Sequence, residues 1–171
     1  DRVFETLDAV SRRWYLPGFG EVILTDTVGF IRDLPKDLVA AFQATLEELR
    51  DADILVHVID AHASDPAQHI AAVEGILQSL NLEQIPRLRF FNKADMADPE
   101  SLQRLCLRYE GVAGAALDNS SLHGVRAELV NRLQSLLMEG LSPNHADLLP
   151  DGSHARSEER RVGKECVRLC R

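Results

Sequence analysis

The chain has 171 residues, 45% hydrophobic and 27% charged, which suits one globular domain with or without a tail and excludes a collagen-like or wholly disordered chain. Its net charge of −8 argues against nonspecific duplex binding, and no sequence-specific DNA partner is expected. No apolar run approaches the roughly 20 residues that cross a bilayer, and Cys106, Cys166 and Cys170 make no disulfide framework, so a reducing, cytoplasmic setting is expected.

Arg12–Leu16 and Glu21–Thr25 flank Pro17-Gly18-Phe19-Gly20, a turn-forming set, and are predicted to pair as a hairpin. Lys36–Arg50 spaces Leu38, Phe42, Leu46 and Leu49 as a helix does, with Pro35 near its start. Ile54–Ile59 is nearly continuously apolar, as a strand covered on both faces would be. Pro66–Leu80 is predicted helical, with Ile70, Val73, Ile76, Leu77 and Leu80 on one side. Leu88–Phe91 reads as a strand, Pro99–Tyr109 as a helix, Val112–Leu117 as a weak strand and Leu122–Leu137 as a closing helix. Such alternation implies an α/β fold with a mostly parallel sheet flanked by helices. In these sheets ligands bind at the carboxyl ends of the strands.

Two strand ends carry chemistry. The strand Glu21–Thr25 runs into Asp26-Thr27-Val28-Gly29, where a carboxylate can hold Mg2+ through water and a glycine lets backbone N–H approach a terminal phosphate. The strand Leu88–Phe91 runs into Asn92-Lys93-Ala94-Asp95. There Asp95 can accept two hydrogen bonds from the N1–H and 2-amino group of guanine, which adenine cannot offer, while the Lys93 stem covers the purine face. Asn92 can bond the base edge or brace the neighbouring loop. Either motif alone fits an ordinary strand end followed by a turn; together they point to a guanine nucleotide, GTP or GDP.

With these residues in view, the sequence resembles the G domain of the HflX family of translational GTPases. Val3–Asp8 is similar to that family's switch I, Thr25–Leu49 to its switch II with the following helix, and Phe90–Asp98 to its base-recognition motif. The resemblance implies a Ras-like P-loop GTPase fold over about residues 1–140, GTP hydrolysis in the parent protein, and the large ribosomal subunit as partner. It also implies that Phe4, Glu5, Thr6, Leu7 and Asp8 line the nucleotide, that Thr6 and Asp26 serve Mg2+, and that Ala115 and Ala116 brace the base. Phe30 stands where many GTPases place a water-orienting Gln, so no catalytic side chain is assigned. Slow intrinsic hydrolysis, completed by a partner, is the expectation. A noncatalytic ribosome- or RNA-binding module is the alternative.

Departures from the pattern set further expectations. Ala115-Ala116-Leu117 stands where Ser-Ala-Leu is usual, so that loop is expected to be less well tied down, with the Ala116 N–H still able to reach the guanine carbonyl. No G-x-x-x-x-G-K-[ST] occurs, and residue 1 is Asp, which reads as a piece beginning just after the phosphate loop and inactive by itself. The strand before that loop would lie between those ending at Asp26 and Asp60. Its loss is expected to leave two inner edges or to close them on each other. Residues 141–155 read as a linker. Residues 156–171 hold six Arg or Lys and three Glu, and Arg156–Cys166 resembles a translated sequencing adapter, so a non-native tail is expected ahead of a solvated or functional basic arm. His57 and His62 are expected to be structural or solvent-facing, and Cys106 a small helix-face hydrophobe.

Overall fold

The computed structural model describes residues 10–26, 48–139 and 165–170. β1 (Val10–Leu16) and β2 (Gly20–Asp26) form the expected hairpin, each longer than the apolar pattern suggested. Gly18 and Gly20 take positive φ of 87° and 138° at the turn, conformations a side chain resists. Then come β3 (Ile54–Asp60), α1 (Pro66–Ser79), β4 (Arg87–Asn92), α2 (Pro99–Tyr109), β5 (Val112–Ala113), α3 (Leu122–Met138) and β6 (Glu165–Cys170). Most of the helix expected at Lys36–Arg50 lies outside the described residues; its last part is a 3-10 turn at Glu48–Asp51.

The sheet order is β1-β2-β6-β3-β4-β5. Only β1 is antiparallel to its neighbour. Period-two alternation sorts β3 onto two faces. Ile54 and Val56 join Leu16, Val22, Leu88, Phe90 and the α3 residues Leu129, Leu133 and Leu136 in one core. Leu55 packs with Val73 and Leu77 of α1, and Ile59 with Ile70 and Phe91 against α1 and α2. The sheet is thus covered by α3 on one side and by α1 and α2 on the other. Arg132 fastens α3 to the sheet by donating to the carbonyls of Arg87 at 2.9 Å and Glu110 at 3.0 Å. Cys106 packs at the edge of the α2 core and burial raises its thiol pKa, in keeping with a small hydrophobe.

Two expectations are corrected here. The predicted strand Val112–Leu117 stops at Ala113: Gly114 N–H makes the last bond to β4, at the Phe91 carbonyl, Ala94 beyond the end of β4 donates to the Gly114 carbonyl, and the chain then turns through Ala115–Asp118. The inner edges of β2 and β3 neither stay unpaired nor close on each other. Glu165–Cys170, taken from sequence as part of a tail, lies between them and runs parallel to both. Its register aligns Val22–Asp26 with Glu165–Leu169 and Ile54–His57 with Val167–Cys170. No helix among the described residues is long and apolar enough to cross a membrane.

Candidate guanine-nucleotide site

Because β2, β6, β3, β4 and β5 run parallel, their carboxyl ends share one edge of the sheet. Asp26 ends β2, Asp60 ends β3 and Asn92 ends β4, so the three polar strand ends stand along that edge. Phe4, Glu5, Thr6, Leu7, Asp8, Thr27, Val28, Gly29 and Phe30 lie outside the described residues.

The Asn92–Asp95 turn is held from three directions. Asn92 Oδ1 accepts the Ala116 N–H at 2.9 Å, Ala94 N–H donates to the Gly114 carbonyl at 3.2 Å, and Ala61 N–H donates to the Asn92 carbonyl at 2.9 Å. Of the two roles open to Asn92, the side chain thus takes loop bracing. The same bond occupies the Ala116 N–H that was expected to reach the guanine carbonyl. Lys93 sits at φ 60°, a left-handed conformation uncommon outside glycine, and its ammonium donates to Asp60 Oδ2 at 2.6 Å. Asp60 also accepts the His62 N–H at 2.9 Å. Burial pushes the Asp60 carboxyl upward, but the Lys93 and His62 hydrogen bonds and the Lys93 charge outweigh it, and the group lies below the usual carboxylate range.

The two aspartates after Lys93 have separate tasks. Asp98 caps α2, accepting the Ser101 N–H at 2.8 Å, with Pro99 at the first helical position where a missing N–H costs nothing. The hydrogen bonds from Ser101 hold its carboxyl below the ordinary value. Asp95 lies two residues past the end of the Lys93 left-handed kink and is exposed, a carboxylate presented to solvent beside the braced loop.

The neighbouring loop is better secured than its Ala-Ala sequence implied. Ser121, at the start of α3, accepts the Ala115 N–H at 2.8 Å through Oγ. Its hydroxyl lies 2.9 Å from the carbonyls of both Ala115 and Asp118 and can donate to one of them. A hydroxyl six residues downstream thus ties the loop. Ser121 and Asp60 are the residues that sequence reasoning missed. Asp60 carried a usable signal, a carboxylate closing an apolar strand as Asp26 does; Ser121 carried none, since its partner is set by how α3 enters the fold.

A hard oxygen donor at the end of β2 suits Mg2+, which keeps much of its water and needs only one or two carboxylates beside substrate phosphates. Asp26 fits that requirement by type and by place on the edge; Thr6, the other ligand implied by resemblance, is outside the described residues. An open recess of about 1020 Å³ lies on the adjoining flank, lined by Ala61, His62, Met96, Asp98 and Arg104 among others, and none of Asn92, Lys93, Asp95, Ala115 or Ala116 lines it. Asn92, Lys93, Asp95, Ala115 and Ala116 lie instead at the end of β4 and on the loop bonded to it.

Comparison with known proteins bears on this arrangement. Residues 1–93 match the family described as 50S ribosome-binding GTPase. The chain belongs to that family. A protein named GTPase HflX from Spirochaeta thermophila is 46% identical over 102 residues, covering 60% of this chain and 25% of that protein. The GTPase HflX of Caldanaerobacter subterraneus is 50% identical over 98 residues, covering 57% of this chain and 23% of its own length. That of Magnetococcus marinus is 38% identical over 139 residues, covering 81% of this chain and 30% of the relative. The chain is thus a G-domain segment of HflX type, and it spans about a quarter of the length of the curated relatives it matches. Crystal structures of two point variants of SsGBP share the fold, with TM-scores of 0.66 and 0.64 at 24% identity, covering 75% and 72% of this chain and 48% of each of those chains.

Proposed function

We propose that about residues 1–140 are the guanine-nucleotide-reading part of a cytoplasmic GTPase that hydrolyses GTP to GDP and phosphate and works on the large ribosomal subunit. The observation that carries this reading is the braced Asn92–Asp95 turn: Asn92 locked to Ala116, Lys93 locked to Asp60, and Asp95 left facing outward at the carboxyl edge of a parallel sheet. Rigid placement is what a base-reading carboxylate requires, since a two-bond fit to guanine tolerates little displacement. The family description and the names of the relatives support the hydrolytic activity and the ribosomal partner.

Each residue then has a task. Asp95 accepts from the N1–H and 2-amino group of guanine. The Lys93 stem lies along the purine, and Asp60 holds its ammonium in place by an ion pair. Ala115 and Ala116, tied by Ser121 and Asn92, wall the base. Asp26, with Thr6, would hold Mg2+, which when bound would neutralise charge on the phosphates. Phe4, Glu5, Leu7 and Asp8 approach from switch I, and Thr27, Val28 and Gly29 from the loop after Asp26. With Phe30 unable to orient water by a hydrogen bond, hydrolysis awaits a group from the partner. The 171 residues contain no phosphate loop of their own, so tight binding needs that loop supplied.

The test extends this chain at its N-terminus by a strand carrying G-x-x-x-x-G-K-[ST]. Displacement of a fluorescent GDP should require far less GDP than ADP, with a preference of at least tenfold. Equal displacement by the two would refute guanine reading. Hydrolysis measured with and without large ribosomal subunits should rise on their addition; an unchanged rate would refute completion by the ribosome.

A further inference from the structure

The open recess beside the base-recognition turn has no part in reading guanine, yet its lining is mainly apolar. Ala61 and Ala63 come from the loop before α1, Met96 from the turn before α2, and Leu105 and Leu107 from α2. Met96 is 57% exposed and Leu107 75%, two large apolar side chains grouped on one opening rather than scattered singly. α2 sets Leu102, Leu105, Cys106 and Tyr109 against the sheet, but none of its residues is fully buried, and Leu107 falls outside that row.

The border of the recess is basic. Arg104 and Arg108 line it one helical turn apart, about 6 Å along the α2 axis. Arg104 has an exposed Glu100 at 3.6 Å, a pair worth little in water, and donates to Ser101 Oγ at 2.8 Å. Arg108 lies over the Tyr109 ring at 5.2 Å, and no carboxylate among the described residues pairs with it. Asp98, the acidic residue of the lining, is engaged as the α2 cap. A chain of net charge −8 thus carries a local positive border around an apolar opening. The walls are preset by backbone bonds: Ala61 N–H donates to the Asn92 carbonyl, His62 N–H to Asp60 Oδ1, and Met96 N–H to the Lys93 carbonyl.

We infer that this recess is a docking site for an acidic amphipathic helix of a separate protein. Its apolar side chains cover Met96 and Leu107, and its carboxylates, a turn apart, pair with Arg104 and Arg108. Charge complementarity sets the sign of the partner. A helix fits because the recess is walled by a helix and a loop: an extended segment would find no strand edge to pair with, whereas a helix brings its own backbone bonds. Asp98 to Arg108 spans about 15 Å, the length of ten residues of partner helix. Preset walls keep the ordering cost low. The inference goes beyond the nucleotide reading and stands without it, since no base-recognition residue lines the recess.

The experiment uses the whole chain and a fluorescein-labelled peptide, Asp-Glu-Leu-Ala-Glu-Leu-Leu-Glu-Ala-Leu, amidated at its end, followed by fluorescence anisotropy. Arg104→Glu combined with Arg108→Glu should weaken binding at least tenfold, and Leu107→Ser at least threefold; all three side chains are exposed, so folding is not at stake. A peptide with Lys at every acidic position should bind the doubly reversed chain and not the unaltered one. Equal affinity of the acidic peptide for the three chains, or no recovery by the charge swap, would overturn the proposal. In the unaltered chain the acidic peptide should slow amide exchange at Ala63 and Ser64 and across Ser101–Arg108, and exchange left unchanged there would overturn it. Polyuridylate bound through Arg104 and Arg108, with no binding of peptide, would make RNA phosphate the occupant and overturn it. So would a dimer in light scattering that excludes peptide, which would make a second copy the occupant.

Discussion

Acidification between neutrality and pH 4 should weaken this fold through one residue, His57. The imidazole lies on β3, only 3% exposed, and its Nδ1 has no hydrogen-bond partner among the described residues. Burial, opposed by attraction to Glu74 and reinforced by Arg89, Arg87 and His69, lowers its pKa from 6.5 to about 4. An unfolded chain therefore binds a proton at this histidine below pH 6.5 that the folded chain refuses until about pH 4. Stability must fall as pH drops through that window, by up to about 1.4 kcal/mol per unit. Across the window the loss is roughly 3 kcal/mol, a large part of the 5–15 kcal/mol typical of a domain. The carboxyls of Asp60, Asp98 and Asp118, all held below 3.8, contribute stability that is lost only as pH falls further, so the two effects separate along the pH axis. Urea unfolding at pH 7.5, 6.5, 5.5 and 4.5 measures the slope. His57→Leu should flatten it within this window while leaving the steeper loss below pH 4. A flat curve in the unaltered chain, or a slope that survives in His57→Leu, would refute the reasoning.

Other perturbations have distinct signatures. Asp60→Ala removes a half-exposed ion pair and should change unfolding free energy by less than about 1 kcal/mol. In the N-terminally extended chain it should nevertheless weaken GDP severalfold by freeing Lys93, as competition binding will show. Ser121→Ala leaves the Ala115 N–H without its acceptor and should cost about 1–3 kcal/mol in urea unfolding, with faster amide exchange at Ala115 and Ala116. Gly111→Ala would put a Cβ 2.6 Å from the Phe91 ring and 2.8 Å from the Arg89 carbonyl, in a well-packed corner. A loss of about 1–3 kcal/mol is expected, and an unchanged melting temperature would show that β4 yields there.

What could be read in the sequence follows from how local the signal is. β3 and β4 were legible because a strand covered on both faces must be apolar throughout, and Ile54–Ile59 and Leu88–Phe91 are nearly so. The start of α2 was legible because Asp98 and Pro99 are a cap and a first-turn proline in sequence as in space. The Asn92–Asp95 turn was legible as a motif, but the role of Asn92 was not, since it depends on Ala116, which lies across the β4–β5 junction. β6 was illegible for a physical reason: its composition argues for solvent, and its place depends on pairing with two strands distant in sequence. The truncation of β5 at Ala113 was hidden too, since it depends on where β4 ends and the Ala115–Asp118 turn begins.

Nucleotide preference of Asp95→Asn, in the chain extended by a phosphate loop, tests the guanine reading on the residue that carries it. Exchanging an acceptor for a donor loses two hydrogen bonds to guanine, each worth about 1–3 kcal/mol when left unpaired. Titration calorimetry should show GDP at least tenfold weaker and xanthosine diphosphate correspondingly tighter than in the parent. Unaltered GDP affinity, with no gain for the xanthine nucleotide, would remove Asp95 from the site and with it the assignment of the β4 turn to base recognition.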